Sequence, residues 1–201
     1  MTDDFQTLYE SDEGDDPLPV RLEGADVEHP PGQRYRHHRL VVGDGRPGVV
    51  IVAQKGDRLL LVRSKRLAVG EELWELPRGS SEASDQQDGK DDSDATLVAA
   101  AKRELAEETG YEEAQVVEAS VLGRYFTDTT VFPQRVAVVH CVLQDELPKG
   151  TKDGEIQEDR FVELRALLQD FRKGESGMWN IRDAHTIAAL GLLAVHGLLS
   201  G

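Results

Sequence analysis

With 201 residues, 39% of them hydrophobic, the chain is long enough for one globular domain with its own core, or one domain with extensions. Its 38 acidic residues against 23 basic ones give a formal charge of −15, which argues against a general binder of nucleic acid or of anionic membranes, since both need a basic face. The lone cysteine, Cys141, excludes an internal disulfide framework. No apolar run approaches a membrane span, and the acidic N-terminus lacks the basic and apolar regions of a signal peptide, so a soluble cytoplasmic protein is the expectation.

Residues 1–18 are acidic and polar and read as a disordered tail. Residues 19–45 form an N-terminal extension. Its apolar points are Val20, Leu22 and Val27, then Tyr35 and 40–42, and they flank a break at His29-Pro30-Pro31-Gly32, so short strands are expected on either side. His37-His38 have no other ligand nearby and read as surface or hairpin residues.

Residues 48–53 and 58–63 are β-branched or apolar runs around a turn signal, Lys55-Gly56-Asp57, and predict a hairpin in a buried sheet. Arg63, Lys65 and Arg66 at its end are candidates to meet a phosphate. Residues 70–76 carry Trp74, read as core, into Pro77-Arg78-Gly79. The Arg78 guanidinium can hold two phosphate oxygens in a fork. Residues 80–93 are polar and acidic and read as a loop.

A helix follows over 94–109. Asp94 can cap it, 96–109 is rich in strong helix formers, and Gly110 suits the left-handed residue that ends it. Leu97, Ala101 and Leu105 make its core stripe. Glu104, Glu107 and Glu108 project as neighbours from one turn and repel one another, with Arg103 offsetting part of this. Such a face is either solvated or a site for a hard divalent cation, which takes carboxylate oxygens and keeps waters for phosphates to replace.

Residues 116–125 predict a strand and 126–133 a loop. Residues 134–143 predict a central strand that buries Cys141 and holds His140 as a core histidine. Residues 145–159 are polar and acidic, 160–164 return to a strand, 165–173 make a short amphipathic helix, and 181–199 a long apolar one. His185 is expected to face solvent or a partner.

Gly79 followed by Arg103-Glu104-Leu105-x-Glu107-Glu108-x-Gly110-Tyr111 resembles the Nudix hydrolase box. The lead-in Leu73-Trp74-Glu75-Leu76-Pro77-Arg78-Gly79 is similar to that of its ADP-ribose pyrophosphatase branch. The left half departs from the box. Gly79 and Arg103 stand 24 apart, ten more than the fourteen of the pattern, and Ala95 occupies the place of the first glutamate, eight before the arginine. Asp94, Asp92, Asp91 and Glu82 are alternatives for that glutamate.

The resemblance implies an α+β fold, a mixed β-sheet sandwiched between α-helices, over residues 46–201 with an inserted acidic loop at 83–93. It implies Mg²⁺ or Mn²⁺ held by Glu104, Glu108 and the Arg78 carbonyl, with Glu107 a further ligand or proton acceptor and Arg103 orienting the glutamates. Glu155 or Glu158 would supply a further catalytic carboxylate. Arg63, Arg78, Phe126, Thr127 and Phe132 are the candidates for substrate contact, and 19–45 for homodimer strands. The substrate implied is a small molecule built on a nucleoside diphosphate, ADP-ribose first, cleaved to AMP and ribose 5-phosphate. Two other readings stand beside it: a catalytically silent nucleotide-binding sensor or scaffold, for which Ala95 and the insertion speak, and an acidic interaction domain.

Overall fold

The structure, a computed structural model, describes residues 4–11, 19–87 and 89–199. Three N-terminal strands, β1 (Gln6–Glu10), β2 (Val20–Glu28) and β3 (Arg34–Val42), form an antiparallel sheet in the order β1-β2-β3. Residues 6–10 therefore correct the expected disordered tail. Their alternation of Thr7 and Tyr9 suits a strand, and β2 offers an edge to pair with. The rest of 1–18, apart from 4, 5 and 11, lies outside the described residues.

The second sheet is built on β4 (Gly48–Lys55), β5 (Arg58–Arg66), β8 (Val116–Phe126), β9 (Arg135–Leu143) and β10 (Glu158–Glu163). Their order is β10-β5-β4-β9-β8, with β6 (Glu71–Glu75) on β5 and β7 (Arg78–Ser80) on β4. Only β4 and β9 run parallel, so the sheet is mixed. The expected β4–β5 hairpin is short. Its strands pair only at Gln54↔Leu59 and Lys55↔Arg58, then splay. Into that opening runs β7, with Val49 opposite Gly79.

The run Val49-Val50-Ile51-Val52-Ala53 is apolar at every position because both faces are covered. Val49, Ile51 and Ala53 pack under helix α1 (Asp94–Thr109) with Leu97, Ala101 and Leu105. Val50 and Val52 face helices α2 (Leu164–Phe171) and α3 (Ala184–Val195), with Leu167, Leu190 and Leu193. The sheet is thus held between α1 and the α2–α3 pair. Cys141 is fully buried. Trp74 packs edge-on against Trp179 at 5.0 Å between centroids, as a core residue. His140 shares a 2.7 Å bond with Gln54. Among the described residues no helix is long and apolar enough to cross a membrane.

Two helix starts differ from the reading by a residue or more. Ser93, not Asp94, caps α1, accepting the Thr96 N–H at 3.2 Å, and Asp94 is freed to bind Arg124. Helix α3 begins at Ala184, where Asp183 accepts the Thr186 N–H at 2.8 Å. The Thr186 hydroxyl is in turn a buried acceptor for the Leu76 N–H at 2.9 Å, which fastens α3 to the segment leading into β7. Thr186→Val keeps the shape and leaves that buried N–H without a partner, so stability should fall by about 1–3 kcal/mol. Thermal unfolding would register this as a loss of roughly 2–4 °C per kcal/mol.

Candidate active site

Strand β7 presents two edges. Pro77 accepts the Ile51 N–H at 2.8 Å and Ser81 donates to the Pro47 carbonyl at 3.0 Å, so odd-numbered positions bond to β4 and its lead-in. By alternation, Arg78 and Ser80 turn their backbone groups the other way, toward α1. The Ser80 N–H donates to Glu104 Oε1 at 3.1 Å, and the Ser80 carbonyl accepts from Arg103 Nη2 at 2.8 Å. The Arg78 carbonyl stands on that same edge. Gly79 is required here: a Cβ built on it would lie 2.0 Å from Glu104 Cδ.

Arg103 gathers the site. Its Nε and Nη2 meet Asp85 Oδ1 and Oδ2, each at 3.1 Å, Nη2 also reaches Glu104 at 3.1 Å, and Nη1 reaches Glu107 at 2.8 Å. Burial works against the charge, yet Asp85, Glu104 and Glu107 hold its pKa well above the usual arginine value. Asp85 is 5% exposed and also accepts the Glu82 N–H at 2.7 Å, closing a 3₁₀ turn over Ala83–Asp85.

Asp85 is the residue the sequence reading missed. Counting back eight from Arg103 gives Ala95, still within α1, but counting forward from Gly79 gives five residues and then Asp85, the spacing of the box itself. The insertion therefore begins after Asp85. Its far end is pinned where Asp92 meets Arg124 at 3.0 Å and Arg135 at 3.2 Å. Glu82 lies 3.6 Å from Arg103 as a weaker partner, and Asp92 and Asp94 serve Arg124 instead.

Glu104 and Glu108 face one another below β7. Burial lifts the Glu104 pKa, opposed by Arg103. Glu108 is 5% exposed, and burial followed by the Glu104 charge pushes its pKa up to about 8. Its Oε2 is buried without a hydrogen-bond partner. Two crowded carboxylates, one orphaned oxygen and a facing backbone carbonyl suit a hard divalent cation. Among the described residues no three acidic, histidine or cysteine side chains converge to hold one unaided. The half-exposed Glu107 is drawn toward Arg103.

Glu104 and Glu107 line a two-part cleft, with Glu108 buried behind them. The acidic part, about 590 Å³, is lined by Glu104, Glu107, Asp153 and Glu155 together with Arg103. The adjoining part, about 340 Å³, has walls of Val42, Phe132 and Val136 with Thr127, Gln134 and His185. Arg46, Arg66, Arg78, Gly79 and Ser80 line both. Buried Glu75 joins two of these arginines, Arg66 at 2.6 Å and Arg78 at 3.0 Å. A larger hollow of about 800 Å³ between Gln54, α2 and Leu198 contains none of the box residues.

The site thus assembles Arg103, Glu104, Glu107, Glu108, Arg78, Thr127 and Glu155. It leaves out three candidates. Glu158 is held by Arg160 at 2.6 Å and by Arg63 at 3.5 Å. Arg63 lies over Trp74 at 5.8 Å, while Arg66, three residues on and so on the other face of β5, lines the cleft. Phe126 is 47% exposed and lies off the cleft wall. His185, expected to face solvent or a partner, turns inward instead. It lines the cleft, shares a 2.6 Å bond with Tyr125 Oη, and burial, then the Arg78 charge, pushes its pKa down to about 4.

A sequence profile of the NUDIX domain matches residues 45–183. The chain belongs to the Nudix family of hydrolases, which act on nucleoside diphosphates linked to another group. Among solved structures it is similar to the crystal structure of an ADP compounds hydrolase. The TM-score is 0.63 at 22% identity, covering 96% of this chain and 93% of that one, a likeness of fold. No curated protein matches the chain.

Glu108 gives the site a pH signature. Its folded pKa is raised above the unfolded value near 4.5, so the native state holds the extra proton between those values and loses that advantage as pH rises. In chelator, the melting temperature of the parent should fall from about pH 5 to pH 8 more steeply than that of Glu108→Gln. Equal slopes would contradict the assignment. Gly79→Ala should displace Glu104 and lower divalent-ion affinity by about 10- to 100-fold, measured by Mn²⁺ titration.

Proposed function

We propose that the chain hydrolyses the diphosphate of ADP-ribose, giving AMP and ribose 5-phosphate, with Mg²⁺ or Mn²⁺ as cofactor. The observation that carries the reading is buried Glu108, with its orphaned Oε2 and raised pKa, next to Glu104, which lines a cleft rich in arginines. When bound there by Glu104, Glu108 and the Arg78 carbonyl, a divalent ion supplies charge against the phosphates and Lewis acidity toward the attacking water.

The chain's own residues do the rest. Arg103 fixes Glu104 and Glu107 in place, and Asp85 fixes Arg103. Arg66 and Arg78 meet the diphosphate at the junction of the two cleft halves. The remaining carboxylates of the acidic part, Glu107, Asp153 and Glu155, are the candidates to take the proton from water, since all three line it. Of the two candidates for the further catalytic carboxylate, Glu155 is favoured over Glu158 because only it lines the cleft. The likeness to an ADP compounds hydrolase favours an adenosine diphosphate substrate over other nucleotide sugars. The sensor reading drew on Ala95 and on the insertion, and Asp85 at the box spacing removes the first of these supports. The branch resemblance and the exposed Leu8, Tyr9 and Tyr35 support a homodimer through the N-terminal sheet.

Incubation with ADP-ribose and Mg²⁺, with AMP release followed by chromatography, tests the reading. The parent should turn over only with a divalent ion, and Glu108→Gln should lose about 10²–10⁴ of kcat, the range typical of a positioned catalytic group. AMP released equally in chelator, or equally by the variant, would defeat it.

A further inference from the structure

Four arginines line the cleft, and three of them are already answered by carboxylates. Arg66 and Arg78 share buried Glu75, and Arg103 is held by Asp85, Glu104 and Glu107. Arg46 is different. Among the described residues no carboxylate pairs with it, and its Nη1 is buried with no hydrogen-bond partner. Its neighbour Asp44 lies 3.8 Å from Arg21 instead. In a chain of formal charge −15, an unanswered guanidinium in the cleft is an exception. A buried donor without an acceptor costs free energy unless a ligand supplies one.

The backbone around Arg46 is built to hold it there. Gly43, Asp44 and Gly45 take φ of 57°, 57° and 77°, a left-handed turn that only glycine and short polar residues adopt readily. Pro47 then restricts Arg46 to the extended region, where it lies at φ −67°, ψ 151°. The Pro47 carbonyl accepts from both the N–H and the hydroxyl of Ser81, two residues beyond Gly79, so the segment is tied to the site strand itself. Arg46 lines both parts of the cleft.

We propose that Arg46 is a substrate-binding residue that takes a phosphate oxygen of the diphosphate where the two parts of the cleft meet. The inference rests on the nucleoside-diphosphate reading above and adds a residue to it. The guanidinium supplies a forked pair of donors and full charge, and the substrate supplies the acceptor that the protein withholds. A charged contact of this kind, made in ground state and transition state alike, lowers KM more than it raises kcat.

The test compares the parent with Arg46→Gln and Arg46→Lys. Arg46→Gln should raise KM for ADP-ribose by about 10- to 100-fold, with a smaller fall in kcat, and flatten the dependence of KM on salt. Arg46→Lys should recover part of the loss, because it restores charge without the fork. A merely structural role would lower the melting temperature and leave the salt dependence alone. The same substitutions in a Glu108→Gln background allow Kd for ADP-ribose to be measured by calorimetry without turnover. If Arg46→Gln matches its parent in both KM and Kd, the Arg46 proposal falls while the hydrolase reading stands. If the parent binds ADP-ribose without cleaving it, the hydrolase reading falls, and a weakened Kd in the variant still supports the contact. If the parent neither cleaves nor binds it, both fall.

Discussion

One guanidinium holds the site together. Helix α1 carries three glutamates within five residues, an arrangement that repels itself in isolation. Arg103 bonds to Glu104, Glu107, Asp85 and the Ser80 carbonyl, and so ties the helix to the strand and to the 3₁₀ turn at once. The arrangement is mutual. Its side chain is 21% exposed, and a guanidinium so far from water is costly unless anions surround it, as they do here. The glutamates in turn keep a fixed geometry because the arginine has several fixed partners. Packing follows from the same constraint, since Gly79 must lack a side chain for Glu104 to lie against β7.

A protein of such negative charge must still admit a polyanion. The cleft answers by local arrangement. Glu75 is fully buried and faces Arg66 and Arg78, so those two guanidiniums are oriented from behind, with their charge partly offset. The apolar walls of the second part, Val42, Phe132 and Val136, come from three separate segments of the chain and lower the local polarity beside the arginines. Fields in such a recess are set by the nearest charges more than by the net charge of the surface, because solvent and salt screen the distant ones.

The core and the right half of the box were legible because both are local. The stripe Leu97, Ala101, Leu105 and the triplet Glu104, Glu107, Glu108 obey helical spacing, and a continuous apolar run marks a strand covered on both faces. What failed was register across gaps. Ala95 looked like a lost glutamate because the count began at the wrong end of an insertion, and Asp85 was visible only as one acid among many. Arg63 and Arg66 formed one basic cluster on paper, but a strand sends them to opposite faces. His185 reached the cleft through the Leu76–Thr186 bond, which joins residues 110 positions apart and leaves no periodic trace. Residues 6–10 were too acidic in context to read as a strand, yet β2 supplied the hydrogen-bonding edge that their composition did not reveal.

The insertion after Asp85 has its own consequence. One end is fixed by the bonds from Asp85 to Arg103, the other by the Asp92 pairs to Arg124 and Arg135 and by the Ser93 cap of α1. Between two such anchors the closure entropy of added chain grows only logarithmically, by about 0.6 kcal/mol for each doubling of length. The arc is therefore a splice point. An epitope, a fluorescent reporter or a targeting peptide whose own ends lie close together can be grafted between Gln87 and Lys90, which keeps the Lys90 carbonyl as acceptor for the buried Thr96 hydroxyl and turns an irregularity of spacing into a handle for engineering.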